Sequence, residues 1–260
     1  MLNEKSLARQ MLNKVPEITL YFWIIKILCT TVGETFADYL NSTLHFGLNG
    51  TTIVMGILLA IMLFVQFRVR QYIPWIYWLT VVLISVFGTL ITDNLTDNLG
   101  ISLITTTIVF SFILAAVFAV WYKIEKTLSI HSIISYRREA FYWLAILFTF
   151  ALGTAAGDLT AEQFSLGYLT SVGVFVGLIA FIAVLWKLRV NAVFTFWIAY
   201  ILTRPLGASI GDYLSQSKDD DGLGLGTVIT SFIFLATILI TVLYLTFTKK
   251  DIKSHTTINA

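Results

Sequence analysis

Residues 143–158 read WLAILFTFALGTAAGD, and the spacing inside them, Trp143, nine residues, Gly153, four residues, Asp158, decides the fold. The same spacing recurs at Trp23/Gly33/Asp38, Trp78/Gly88/Asp93 and Trp197/Gly207/Asp212, with starts 55, 65 and 54 residues apart. A fixed internal pattern at such a period marks one structural unit used four times. Each unit sets an aspartate at the same depth of an otherwise apolar segment.

Around that motif the chain is a membrane sequence. Its 260 residues are 57% hydrophobic and 12% charged, with a mean hydropathy of +0.84. Soluble domains carry about 25% charged residues. Apolar stretches long enough for a bilayer core recur throughout. They predict an all-α integral membrane protein of eight transmembrane helices, near 18–40, 50–67, 74–92, 101–122, 140–157, 166–186, 193–212 and 227–247. The stretches are continuously apolar rather than alternating, which argues against a β-barrel. The segment before residue 18 is too polar for a cleaved signal. The lone Cys29 excludes an internal disulfide and a cysteine metal cluster. No stretch outside the membrane is long enough for a soluble domain. The partner is the lipid bilayer, with a small cation as a further candidate, and nothing points to nucleic acid. The oligomeric state is not legible.

Charge orients the chain. Lys5, Arg9, Lys14, Arg68, Arg70, Lys123, Lys126, Arg137, Arg138, Lys187, Arg189, Lys249, Lys250 and Lys253, 14 of 17 basic residues, fall on one side, and the opposite loops hold only Lys218. The positive-inside rule makes that side, with both termini, cytoplasmic. Ten of fifteen acids lie toward the other side.

The expected organisation is a cytoplasmic segment 1–17, a transmembrane domain 18–247 with repeats at about 18–73, 74–130, 138–191 and 192–247, and a cytoplasmic tail 248–260. Each unit reads as a helical hairpin, and all four insert in the same orientation, which suggests pseudo-fourfold or two-plus-two symmetry about the membrane normal. Aromatics open each first helix, Tyr21-Phe22-Trp23 in the first unit, and are expected at the membrane interface. Residues 123–140 read as the link between halves, with a short interfacial helix as the alternative.

Four segments, VPEITLYFW (15–23), REAFYW (138–143), GTAAGDLT (153–160) and LTRPLGA (202–208), carry a wider similarity. On these the chain resembles a bacterial family of integral membrane proteins described as uncharacterised and membrane-anchored. The resemblance covers nearly the whole chain. It implies a bacterial inner-membrane protein and carries over no catalytic or binding residues.

The candidate chemistry lies in the charges within helices. A carboxylate in hydrocarbon costs roughly 2.5–3.5 kcal/mol on insertion scales, so it is retained where it faces water, a cavity or a partner. Asp38, Asp93, Asp158 and Asp212 form one candidate cation- or proton-binding set, and the same four are the candidate metal ligands. The alternative is that they are solvated helix ends. Glu34 lies one turn deeper than Asp38 on the same face. Asp97 and Glu162 could join the set, with Thr30, Thr31, Thr35, Thr89, Thr92, Thr154 and Thr160 as neutral ligands. Arg204 reads as a buried counter-ion near mid-membrane, with Glu34 as its expected partner if units one and four adjoin. Lys26 is expected to snorkel toward the cytoplasmic end. Gly33, Gly88, Gly153 and Gly207 would let backbones approach in one layer, and Pro205 would bend the seventh helix.

Enzyme signatures are missing, including the phosphate loop, the zincin helix and the Gly-x-Gly-Asp of intramembrane aspartyl proteases. No cofactor is expected beyond a transported divalent cation. The leading expectation is proton-coupled transport of a hard cation on oxygen ligands. The alternatives are a non-transporting scaffold or sensor, and a carrier of organic cations.

Overall fold

The apolar segments fold as helices in the computed structural model, which describes residues 13–252. They are α1 Leu20–Asp38, α2 Gly47–Arg68, α3 Pro74–Asp93, α4 Leu103–Glu125, α5 Tyr136–Asp158, α6 Tyr168–Lys187, α7 Ala192–Ser215 and α8 Thr227–Thr248. Among the described residues these eight helices are long and apolar enough to cross a membrane, and there is no strand. The chain is a polytopic membrane protein. Parts of the two expected terminal segments, 1–12 and 253–260, lie outside the described residues.

Local sequence explains the starts. Thr19, Ser102, Ser135 and Asn191 cap α1, α4, α5 and α7 by accepting backbone N–H groups, and Pro74 fills the first position of α3. In every unit the loop into the second helix turns at a glycine with positive φ: Gly47, Gly100, Gly167 and Gly226.

The first helices form a closed ring, α1 beside α3, α3 beside α5, α5 beside α7, and α7 back beside α1. The second helices surround it with one unit's offset. α2 packs on α3, α4 on α5, α6 on α7, and α8 closes the circle on α1. The expected hairpins are therefore opened, since each second helix serves the next unit rather than its own. Burial follows the layers: the inner spans are 61, 78, 67 and 61% buried in chain order, and the outer ones 17, 22, 17 and 28%. The outer layer meets lipid, and the inner ring encloses a polar axis.

The repeated Trp and Gly are the ring's joints. Each aromatic just before a motif tryptophan packs at a tilt against the tryptophan of the following unit: Phe22 on Trp78 at 5.7 Å, Tyr77 on Trp143 at 5.4 Å, Tyr142 on Trp197 at 6.2 Å and Phe196 on Trp23 at 5.7 Å. Within these aromatic groups the girdle rings face neighbouring helices, while Trp75 and Phe194 stay exposed. Trp78, Trp143 and Trp197 are buried between helices, because a ring of four first helices has enough flank to bury its own aromatics. The glycines obey the same rotation. A Cβ on Gly33 would strike Ser85, on Gly88 Phe150, on Gly153 Arg204 and on Gly207 Thr30. Each struck residue lies three before the next unit's glycine.

One further expectation changes. Lys26 does not snorkel; it is fully buried, with Nζ 4.2 Å from the Phe150 ring centre and 4.4 Å from that of Tyr200. It points inward because its face of α1 lines the axis. The 123–140 link forms no interfacial helix, only a short turn at Ile130–Ser132. α7 is continuous through Pro205.

Candidate functional site

Helical periodicity stacks the axis into layers. The residue after each motif glycine is Glu34, Thr89, Thr154 or Ala208, and the motif aspartates follow one turn later. Arg204, on α7, reaches across this first layer. Its Nη2 donates to Glu34 Oε2 at 3.0 Å, to Thr154 Oγ1 at 2.6 Å and to Thr89 Oγ1, and its Nη1 donates to the Thr30 carbonyl at 3.1 Å. Thr89 Oγ1 lies 3.4 Å from both Glu34 Oε2 and Thr154 Oγ1. One guanidinium thus binds the same repeat position on three different helices. The fourth equivalent, Ala208, is on its own helix and leaves the space free.

Arg204 fits there for a steric reason. It occupies the place that Thr30, Ser85 and Phe150 hold in the other units, against the glycine of the preceding helix. Gly153 supplies no side chain, so the arginine stem lies on bare backbone. The guanidinium also lies 5.6 Å from the Phe150 ring centre. A fully buried guanidinium needs this many oxygen partners, because an unmatched charge at that depth is costly. Its Nε alone has no hydrogen-bond partner.

Beside this knot, carboxylate oxygens of Glu34, Asp158 and Asp212 lie within 4.8 Å of one another. Three units contribute, and Arg204 is the salt-bridge partner of one of the three. Oxygen atoms so arranged can hold a hard cation or share protons. Asp38 and Asp93 are outside this triplet, yet both lie within electrostatic range of Glu34. Asp97 and Glu162 are exposed; Thr96 Oγ1 donates to Asp97 at 2.9 Å and Tyr168 OH to Glu162 at 3.4 Å. Among the threonines, Thr89 and Thr154 face the site. Thr31, Thr35 and Thr160 donate back to their own helices, at Ile27, Thr31 and Ala156. Thr30 donates to the Ile27 and Thr203 carbonyls, and Thr92 to that of Ala151.

The four aspartates are not equivalent. After Asp38, Asp93 and Asp158 the helix widens into a five-residue π-helical turn, at Tyr39–Thr43, Asn94–Asn98 and Leu159–Gln163. Such turns are rare and concentrate at functional sites. In the fourth unit α7 stays α-helical to Ser215, and the Gln216 N–H reaches the Asp212 carbonyl at 2.8 Å. Asp212 is the buried member at 7% exposure. The helical path thus runs on past each aspartate, as a five-residue π turn in three units and as three further α-helical residues in the fourth.

Sequence reasoning missed the π-helical turns, the Tyr77–Tyr142 hydroxyl contact of 2.5 Å, and the buried pair Lys14–Glu139 at 2.6 Å. The π turns leave no compositional mark. The tyrosines could have been found by aligning the repeats, since both precede a motif tryptophan.

A family model described as a Repeat of Unknown Function (DUF347) matches four segments, residues 21–72, 76–127, 141–190 and 195–251. No curated protein and no solved structure matches the chain.

Proposed function

We propose a function for this chain, which belongs to that repeat family, from its axial carboxylates: it is a transporter that exchanges protons for a hard divalent cation such as Mn2+ or Mg2+. The observation that carries the reading is the clustering of Glu34, Asp158 and Asp212 oxygens within 4.8 Å inside a membrane ring. Three ionised carboxylates against the one guanidinium of Arg204 leave a charge of −2. One divalent cation, or two protons, neutralises it. Oxygen ligands suit hard ions, and threonine hydroxyls beside them can complete the shell. Asp38 and Asp93 lie beside the triplet and would attract the ion on entry.

In this reading Arg204 is a tethered counter-ion. It holds Glu34 while the site is empty or protonated, and a bound cation competes with it for the same oxygen. The chain binds and releases its cargo and performs no bond chemistry. The loop bias in lysine and arginine supports a basic end that faces the cytoplasm, with both termini, and the resemblance noted above implies a bacterial inner membrane.

The test is uptake of Mn2+ into liposomes with an internal metal dye and a pH indicator. Asp158→Asn and Asp212→Asn should each lower uptake by roughly tenfold or more, with the proteins eluting as folded. Absence of metal-driven proton movement in the parent protein would overturn the reading. Orientation is read separately, in a Cys29→Ser background. Cysteines at Asn41, Asn98, Ser165 and Ser217 should react with an impermeant reagent from outside intact cells, and reaction only after permeabilisation reverses it.

A further inference from the structure

Tyrosine hydroxyls gather inside the basic end of the ring, and packing does not ask for them. The girdle needs an aromatic ring before each motif tryptophan, and units one and four supply Phe22 and Phe196. Units two and three carry Tyr77 and Tyr142 at the same position. Both are fully buried, and their hydroxyls lie 2.5 Å apart. A buried hydroxyl costs stability unless it is hydrogen-bonded, and phenylalanine avoids that cost. Tyr200, one turn beyond Phe196 on α7, is fully buried too, and its hydroxyl has no hydrogen-bond partner. It lies within electrostatic range of Tyr77 and Tyr142. Tyr77 is on α3 and Tyr200 on α7, which are opposite helices of the ring, so the group spans the interior rather than the rim.

The group has two ends. On the outer side Tyr72, in the loop before α3, has its ring 5.6 Å from that of Tyr77. Its hydroxyl accepts from the Trp78 indole at 3.2 Å and donates to Asp251 Oδ2 at 2.5 Å. Asp251 follows α8, outside the spans, and its other carboxylate oxygen has no hydrogen-bond partner. On the axial side Lys26 Nζ lies 4.4 Å from the centre of the Tyr200 ring. This amine is fully buried and lacks a hydrogen-bond partner. Arg204 on α7 and Cys29 on its own helix are within electrostatic range of it. The amine and the Arg204 guanidinium share the Phe150 ring, at 4.2 and 5.6 Å from its centre. The tyrosine hydroxyls therefore lie between a carboxyl at the basic end and an amine beside the Arg204 knot.

We infer that Tyr72, Tyr77, Tyr142 and Tyr200 form a hydroxyl chain that carries protons between Asp251 at the basic end and Lys26 on the axis. The inference rests on the transport reading and supplies a route for its protons. Asp251 gives its carboxyl proton to the Tyr72 oxygen. Each hydroxyl passes its own proton on as it receives the next, and the Lys26 lone pair takes the last. One proton moves, Asp251 is left as a carboxylate, and no charge stays on a tyrosine. A hydroxyl both donates and accepts, which such a relay requires and a phenylalanine ring cannot supply. The Tyr77–Tyr142 and Tyr72–Asp251 steps are already hydrogen bonds, and a single water suffices to bridge each of the others. The proton on Lys26 is then felt at the carboxylates without contact. Glu34 lies two turns on, about 12 Å along α1, and a second cation beside Arg204 opposes a divalent ion there. Loss of the proton favours that ion, which is the sign that exchange demands.

The experiment removes hydroxyls and keeps rings. Tyr77→Phe with Tyr142→Phe makes units two and three match units one and four, so the girdle is retained. Tyr72→Phe breaks the link to Asp251 alone. Each protein is reconstituted in liposomes with an internal pH indicator and metal dye, and its melting temperature controls for folding. In both variants Mn2+-driven proton movement should slow by roughly tenfold or more. Mn2+ affinity at equilibrium, followed by tryptophan fluorescence, should stay as in the parent. Variants that exchange at the parent rate overturn the chain, and so do variants whose slower exchange is matched by an equal loss of Mn2+ affinity. A parent protein that carries no Mn2+ removes the transport reading instead, and the chain is then judged by proton leak. Under a potassium diffusion potential set with valinomycin, parent vesicles should acidify several-fold faster than vesicles of the double variant. Equal leak in the two overturns the chain.

Discussion

Before the motif aspartates, units two and three present an apolar, hydroxyl-lined flank to the axis, whereas units one and four, which meet at the seam where the ring closes, carry the charges Lys26, Glu34 and Arg204. At matching positions unit one has Lys26 and Glu34, unit four has Tyr200, Arg204 and Ala208, and units two and three have Val81, Thr89, Ile146 and Thr154. The fold needs only the girdle and the glycines, which all four units share. The site therefore combines two aspartates of the shared motif, Asp158 and Asp212, with departures at Glu34 and Arg204 where α7 and α1 meet. A symmetric ring would give four identical weak positions, and breaking it at one seam gives a single charged one.

The sharpest way to break this comparison is to remove one charge from the seam. Arg204→Leu leaves Glu34 unmatched and should cost about 3–5 kcal/mol, as should Glu34→Gln. Either is expected to reduce the yield of folded protein in detergent. The symmetrising pair Glu34→Thr with Arg204→Thr, which installs residues already present in the other units, should recover most of that loss. If the double change Arg204→Leu with Glu34→Gln costs as much as the sum of those two singles, measured by thermal unfolding, the two side chains are not coupled.

The shared joints should behave alike in all four units. Alanine at Gly88 places a Cβ 2.8 Å from Phe150 Cβ and 3.2 Å from the Ala151 nitrogen, and alanine at Gly207 places one 3.1 Å from the Thr31 nitrogen. Overpacking of this sort costs typically 1–3 kcal/mol. Gly173→Ala and Gly177→Ala, on the lipid-facing α6 with nothing within 4 Å, should have no measurable effect on the melting temperature. A loss at Gly173 as large as at Gly88 contradicts the ring as the place where packing is decided.

Lys26 tests the seam from its other side. Its Nζ has no hydrogen-bond partner and faces two aromatic rings. Lys26→Met keeps the volume and removes a polar atom that lacks compensation, so the melting temperature should rise by a few degrees, about 1 kcal/mol. A fall would mean that the amine has a role in holding α1 against α7.

The smallest effect is expected outside the membrane. Burial raises the Asp251 carboxyl above its ordinary range, partly offset by the hydrogen bond from Tyr72. A raised folded value binds the proton more tightly than the unfolded chain does. The stabilisation it gives is complete below the ordinary carboxylate pKa and fades as pH rises through the folded value. Asp251→Asn should remove that slope from the melting temperature while leaving the charged seam untouched. An unchanged slope assigns it to another group.

Much of this was readable without coordinates. The motif spacing gave four units, the apolar lengths gave eight spans close to the observed ones, and the depth of Arg204 called for a carboxylate partner, with Glu34 the choice only on the condition that units one and four adjoin. Each of these depends on distance along one helix or on the cost of a charge in hydrocarbon, and both are properties of local sequence. What local sequence left open was rotation and neighbourhood. Tryptophans that suit an interface equally suit an inter-helix girdle, and a lysine long enough to snorkel is equally able to lie on Phe150. The offset of each second helix onto the next unit, the π-helical turns after three aspartates and the tyrosine hydroxyls that gather inside the ring depend on which helix lies beside which. So does the convergence of Glu34, Asp158 and Asp212, drawn from three units more than 50 residues apart. A repeat fixes what each unit carries at each height, because helical rise is local. Closing the ring fixes which carboxylates face one another, because that requires all four first helices to be packed at once.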